Sequence, residues 1–212
     1  STMNELVENL QLSQPSIRNM VRTLQEKQLI QEVGNDLSSG GRCPTRFALN
    51  EKNYLILCLY VQVDKVIYQL RNFNEIKKEG ILFYQSEDEL KKTIKDLIDQ
   101  EKIHCCQIAV EGIVYEDVYV TDHHNVLEKH QWLKDIKKEI NIPLQFQNDV
   151  KMIHQGCYFT YQQDATYYLY INEVGIGSSY FYKEEPLYGN TGIMGEIGLI
   201  SIKGKTINQR VR

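Results

Sequence analysis

The chain has 212 residues, 42% of them hydrophobic and 25% charged, with a formal net charge of −4. This is ordinary globular composition, long enough for one large domain or a small one joined to a larger, and the acidic balance gives no general attraction to nucleic acid. No apolar run approaches the ~20 residues that span a bilayer and no leader pattern opens the chain, so no membrane partner is expected and the expected location is cytoplasmic. Cys43, Cys58, Cys105, Cys106 and Cys157 are odd in number, scattered and never spaced as CxxC. Reduced thiols are therefore expected, without a disulfide framework or a bound metal, and no other cofactor is expected.

Residues 1–50 carry equal numbers of acidic and basic side chains, so any grip on DNA there has to come from how the arginines cluster. Thr2 and Glu5 have capping-box spacing, with Leu6, Val7 and Leu10 following on one face, which predicts a short helix from residue 2 or 3. Ser13 is a second N-cap, with Pro15 in the first turn where its missing N–H costs nothing. Ile17, Met20, Val21 and Leu24 repeat at i, i+3, i+4, i+7, which predicts a helix to about Lys27 burying that stripe. The other face shows Gln14, Ser16, Arg18, Asn19 and Arg22, the kind of set a recognition helix offers to phosphates and base edges in a major groove.

Leu29 to Val33 and Thr45 to Leu49 alternate as two strands, and SSGGRCPTRF falls between them. In one reading this is a hairpin wing: Gly40 and Gly41 let the backbone approach a duplex while Arg42, with Arg46 nearby, enters a narrow minor groove. In the other it is an interdomain loop with incidental charges. Spacing leaves both open.

Beyond Asn50 the texture changes. Tyr54 to Val63, Val66 to Phe73 and Ile76 to Tyr84 predict a three-stranded meander, then Glu87 to Gln100 a helix with Leu90, Ile94, Leu97 and Ile98 on one side. Gln107 to Val114 is a buried strand, Trp132 to Ile140 a helix, Pro143 to Phe146 a strand and Val150 to Tyr161 a helix. Tyr167 to Ile171 and Ser178 to Tyr182 begin a further set of strands. This order suits an actin-like or sugar-kinase α/β lobe. His123, His124 and His130 read as solvated residues of a polar loop rather than ligands of a shared ion. The tyrosines from Tyr158 to Tyr170 read as core and dimer packing rather than a stacking platform for bases.

The run LSQPSIRNMVRTLQEKQLIQEVGNDLSSGGRCPTRFALN resembles the winged helix-turn-helix of the ROK family, which groups sugar-responsive repressors with sugar kinases. The repressor wing reads GLI.E.G...S.GGR.P..L.LN, and Leu29-Ile30, Gly34, Ser39-Gly40-Gly41-Arg42, Pro44 and Leu49-Asn50 fall in register with it. Family repressors have a further helix before this one, so the resemblance implies that residue 1 is not the native start. INIPLQFQNDVKMIHQGCY is similar to the family segment lglPv.veNDana.alGE, and LYGNTGIMGEIGLISI to G..G.aGEiGH..v. The implied fold is α/β: an N-terminal winged helix-turn-helix over 1–50, then an actin-like, sugar-kinase (ribonuclease H-like) domain. Its first lobe would occupy 51–165 and an incomplete second lobe 166–212.

In the family's kinases the NDA aspartate is the general base and its asparagine binds the sugar, positions matched by Asp149 and Asn148. Glu196 matches a sugar-contacting glutamate, and Asn125 a sugar-contacting asparagine that precedes a tryptophan, here Trp132. An aspartate serves as base or as plain acceptor, and Asn148-Asp149 is also a sound helix N-cap, so these residues alone do not establish chemistry. The family histidine after GEIG is Leu199 here, a lost donor. The DIGGT phosphate loop corresponds to Leu59-Tyr60-Val61-Gln62-Val63-Asp64, with no glycine, and GTGIG has become Glu173-Val174-Gly175-Ile176-Gly177. The expectation is a non-enzymatic repressor that binds a double-stranded DNA operator as a homodimer and responds to a sugar or phosphosugar. A sugar kinase with an appended head, and a DNA-binding protein whose body only dimerises, are the alternatives.

Overall fold

In the computed structural model all residues are described except 36–42, 117, 124–125, 162, 173–174 and 212. Two compact units result, one of Ser1–Ile56 with Leu70–Lys78, the other of Leu57–Gln69 with Glu79–Arg212.

In the first unit α1 (Met3–Leu10) begins at Thr2, whose hydroxyl accepts from the Glu5 amide while the Glu5 carboxylate accepts from the Thr2 amide. This reciprocal cap satisfies two otherwise orphaned donors. Helix α2 (Gln14–Glu26) is capped by Ser13 and carries Pro15 in its first turn. Strands β1 (Ile30–Asn35) and β2 (Thr45–Leu49) pair antiparallel, with a bulge between Glu32 and Gly34 where Gly34 takes φ of 129°. The predicted apolar stripe of α2 is only half covered: Ile17 and Val21 are buried, whereas Met20 is 49% and Leu24 37% exposed. Helix α1 and one hairpin are too little structure to enclose a full stripe.

The larger part of a five-stranded sheet, in the order β10-β6-β3-β4-β5, belongs to the second unit. Its strands are β3 (Leu55–Val61), β4 (Lys65–Arg71), β5 (Ile76–Phe83), β6 (Ile103–Val110) and β10 (Leu144–Asn148). Alternation along β3 buries Leu57, Leu59 and Val61 on one face and turns Tyr60 to the other. Helix α3 (Glu87–Asp99), N-capped by Ser86, buries Leu90, Ile94 and Leu97. It packs beside α4 (Trp132–Glu139), which buries Trp132, Leu133 and Ile136.

The stretch read as a polar histidine loop is instead a small antiparallel sheet of β7 (Ile113–Tyr115), β8 (Val118–His123) and β9 (Val126–His130). The alternating Val118-Tyr119-Val120-Thr121 run supplies its pattern, and Gly112, at φ of 120°, breaks the expected Gln107 to Val114 strand into β6 and β7. Helix α5 (Asp149–Tyr161) follows β10 directly. Strands β11 (Ala165–Ile171), β12 (Ile176–Tyr182) and β13 (Glu185–Pro186) form a further sheet. The chain then runs through a 3₁₀ turn (Ile197–Leu199), a β14 (Ser201–Ile202) and β15 (Lys205–Thr206) hairpin, and α6 (Asn208–Val211). Tyr158 is buried as expected of core, while Tyr167 is exposed. Among the described residues no helix is long and apolar enough to cross a membrane.

Ile94 is fully buried and Lys92, two residues away, is exposed. Ile94→Ala is expected to cost about 2–5 kcal/mol in urea unfolding, and Lys92→Ala to stay within about 0.5 kcal/mol.

Candidate functional site

Parallel pairing of β6 with β10 sets Val110 against Asn148, so Glu111 and Asp149 emerge from the same edge of the sheet. Carboxyl ends of parallel strands are where open α/β sheets bind ligands. A cleft of about 630 Å³ opens there, and Gln62, Glu111, Asn148, Asp149 and Glu196 are among the residues that line it.

Tyr60 from β3 reaches into this group. Its hydroxyl lies 2.9 Å from Glu111 Oε1 and 3.2 Å from Asp149 Oδ2. A phenol has one proton, so both contacts are hydrogen bonds only when a carboxyl supplies another. Asp149 is the group suited to do so: burial pushes its carboxyl above the ordinary range, against the opposing pull of the Val150 amide and the Tyr60 hydroxyl. Burial, and then the charges of Asp149 and Glu111, push the Tyr60 phenol up as well. Gln62 Nε2 donates to Glu111 Oε1 at 2.8 Å, and the Tyr119 hydroxyl to the Glu111 carbonyl at 3.0 Å.

Asn148 is committed to the fold on both sides of its amide. Nδ2 donates to the Gly112 carbonyl at 2.7 Å and Oδ1 accepts from the Lys151 amide at 3.1 Å. The second bond is the N-cap of α5. Glu196 is held by the turn before it, where Gly195, at φ of 100°, accepts from the Ser178 amide and hydroxyl, both at 2.9 Å. A Cβ on Gly195 would fall 2.2 Å from the Ser178 carbonyl oxygen. Burial moves the Glu196 carboxyl upward, and the Lys151 ammonium draws it back. Leu199 adds an apolar wall.

Asn208 from α6 lies over Gly175 and Gly198, where added Cβ atoms would come within 2.5 and 2.3 Å of Asn208 Oδ1. That oxygen also accepts from the Ile176 amide at 2.9 Å.

Glu111 and Asn208 were not singled out in the sequence, and Tyr60 and Gln62 stood out only as members of a run that lacks a phosphate-loop glycine. Glu111, an acid directly after a buried strand, carries a positional signal; Asn208 acts through a fold-level contact and carries none. The cleft also holds a relay absent from the sequence reading. His130 Nδ1 is 2.7 Å from Glu87 Oε1 and its Nε2 2.7 Å from Thr121 Oγ1, with the ring against Tyr119 at 4.8 Å between centroids. His130 is therefore bound between α3 and β8 rather than solvated as expected. Asn125 and His124 lie outside the described residues. Among those described, no group of three His, Cys, Asp or Glu side chains is placed to hold a metal ion.

In the first unit Gln14, Arg18, Asn19 and Arg22 are exposed on α2, and Ser16 is half-buried, its hydroxyl 2.9 Å from that of Ser13. Arg22 makes only an exposed 3.8 Å pair with Glu26. Arg46 is already engaged, its guanidinium 2.8 Å from Glu5 Oε1. Gly40, Gly41 and Arg42 lie outside the described residues.

The sequence model of the ROK family matches residues 78–209. The chain is 24% identical over 215 aligned residues to a xylose repressor of Staphylococcus xylosus, covering 92% of this chain and 55% of that protein. It thus spans about half the length of that curated relative. A crystal structure of a ROK family transcriptional regulator, a homologue of the E. coli MLC protein, superposes with a TM-score of 0.78 at 18% identity, over 98% of this chain and 59% of its own. A putative sugar kinase from Cytophaga hutchinsonii gives 0.61 at 19% identity, over 74% and 57%. A ROK family glucokinase from Streptomyces griseus, in complex with glucose and AMPPNP, gives 0.56 at 17% identity, over 70% and 51%. These likenesses establish a mixed α/β fold of the kind ROK sugar kinases share.

A carboxyl whose folded-state pKa lies above its unfolded value destabilises the fold while charged, and that penalty is relieved as pH falls through the folded pKa. Asp149→Asn is therefore expected to raise the urea midpoint at pH 7. The gain should shrink towards zero as pH falls to about 4, the ordinary carboxylate range.

Proposed function

Because the chain belongs to the ROK family, we propose that it is part of a transcriptional repressor that grips an operator through residues 1–50 and binds a sugar-type effector in the Asp149–Glu196 cleft. The observation that carries this reading is the difference in coverage. The regulator superposes on 98% of the chain, whereas the two kinases reach only 74% and 70%. The xylose repressor likewise aligns with 92% of it.

We read the α1, α2 and β1–β2 unit as a winged helix-turn-helix. Helix α2 would lie in the major groove with Gln14, Ser16, Arg18, Asn19 and Arg22 towards the duplex. The segment holding Gly40, Gly41 and Arg42 would reach the neighbouring minor groove, with Arg46 at its base braced by Glu5. Residues 51–165 and 166–212 would form actin-like lobes carrying dimer contacts, in the cytoplasm. A symmetric dimer reads a roughly palindromic operator with half-sites an integral number of helical turns apart. The effector then acts by favouring one arrangement of the heads over the other.

A kinase has Asp149 in its favour, as a carboxylate able to take a hydroxyl proton. Against it stand Tyr60, whose hydroxyl already engages Asp149, and Asn208, whose side chain lies over Gly175. ATP turnover with a panel of hexoses tests this directly, and detectable sugar phosphorylation would overturn the non-enzymatic reading.

Selection of bound sequences from a random DNA library tests binding, symmetry and spacing together; recovery of no enriched motif would end the operator assignment. On the selected site, Arg18→Ala and Arg22→Ala are each expected to weaken all sequences alike and to flatten the salt slope by about one. Arg42→Ala should cost about 1–3 kcal/mol and relax the preference for A·T pairs beside the half-site, measured by fluorescence anisotropy.

A further inference from the structure

In the first unit a single carboxylate joins the start of α1 to the hairpin. Glu5 Oε2 accepts from the Thr2 amide at 3.0 Å, which closes the cap of α1, and Glu5 Oε1 stands 2.8 Å from the Arg46 guanidinium on β2. Backbone contacts run alongside: Thr2 bridges Arg46 in antiparallel fashion, and the Phe47 amide donates to the Ser1 carbonyl at 2.7 Å. On its other side Arg46 stands opposite Gly34, at the bulge in β1. Arg46 is therefore flanked by backbone on both sides, at the point where the hairpin bends, since a bulge adds local twist.

The arginines of this unit are of two kinds. Arg22 has a side chain 71% exposed and a loose 3.8 Å pair with Glu26, and Arg18 is exposed as well. A cation in such a weak surface pair is available to a phosphate. Arg46 is less exposed, and it makes a charge-assisted bond to a carboxylate that the Thr2 amide already holds. A phosphate there would have to displace an acid fixed in place. Stability does not account for the pair either, because half-exposed ion pairs contribute little. Direction does: the pair ties β2 to the start of α1, and α1 packs on α2.

We propose that Arg46 is a positioning residue rather than a DNA contact: paired with Glu5, it sets the stance of the β1–β2 hairpin beside α2, so that both meet one duplex in a fixed relation. The proposal rests on reading residues 1–50 as a winged helix-turn-helix. A phosphate contact acts on every sequence alike, whereas a preset stance favours the one duplex it matches.

The test is fluorescence anisotropy of the full chain with two duplexes, one enriched from a random DNA library and one scrambled to equal length, over a range of salt. Arg46→Met is expected to weaken the enriched duplex about fivefold or more while leaving the scrambled duplex and the salt slope as in the parent, because preorganisation is lost and no phosphate contact is. Glu5→Gln keeps an acceptor for the Thr2 amide, so the cap survives, and it should weaken the enriched duplex in the same way. Adding it to Arg46→Met should change nothing further. A phosphate contact predicts the reverse: Arg46→Met weakens both duplexes alike and flattens the slope by about one, and Glu5→Gln tightens both. Either result overturns the proposal. So does a variant that alters melting alone, with both affinities as in the parent. Should one variant fail to fold, the affinities and slope of the other still decide. If the library yields no enriched duplex, the winged-helix reading falls first and takes this inference with it. If the parent binds its enriched duplex and both variants bind it equally well, this inference alone falls.

Discussion

Five residue pairs of parallel ladder between β6 and β10 hold the cleft together. Parallel strands place like ends side by side, so two acids far apart in the chain, Glu111 and Asp149, emerge together at one rim. Antiparallel pairing would have sent them to opposite edges. Bringing two carboxylates together creates repulsion, and the structure relieves it locally: the Tyr60 hydroxyl lies between them, Gln62 donates to one, and burial favours a proton on the other. The phenol thus ties β3 to both acidic positions at the rim.

Much of the scaffold was legible because periodicity follows burial. The spacing of Leu90, Ile94 and Leu97 predicted α3, and Trp132, Leu133 and Ile136 predicted α4; each set is buried. The caps at Thr2 and Ser13 were legible because they are local, involving residues three apart. The β8–β9 hairpin was not legible because an aspartate and two adjacent histidines interrupt the apolar alternation that Val118 to Val120 begins. His130 was consequently expected in solvent, whereas Glu87, 43 positions away, binds its ring. Contacts of that range leave no trace in spacing.

The site divides the same way. Asp149, Asn148 and Glu196 were singled out through short motifs, and all three line one cleft. Their partners carried no such signal. Nothing in the sequence near Lys151 marks it as a buried cation, and nothing near Asn208 marks the glycines it covers. For Met20 and Leu24 the helical stripe was read correctly but the extent of its cover was not, since cover depends on how many neighbouring elements a small unit possesses.

The turn at Gly195 has a longer-range meaning. There the peptide backbone itself, fastened to Ser178, decides where the next side chain begins, and no bulkier residue fits that bend. Position 196 is consequently registered by main-chain geometry and owes little to the character of whatever side chain it bears. Such an arrangement separates place from chemistry: a different side chain at 196 would be displayed from the same frame.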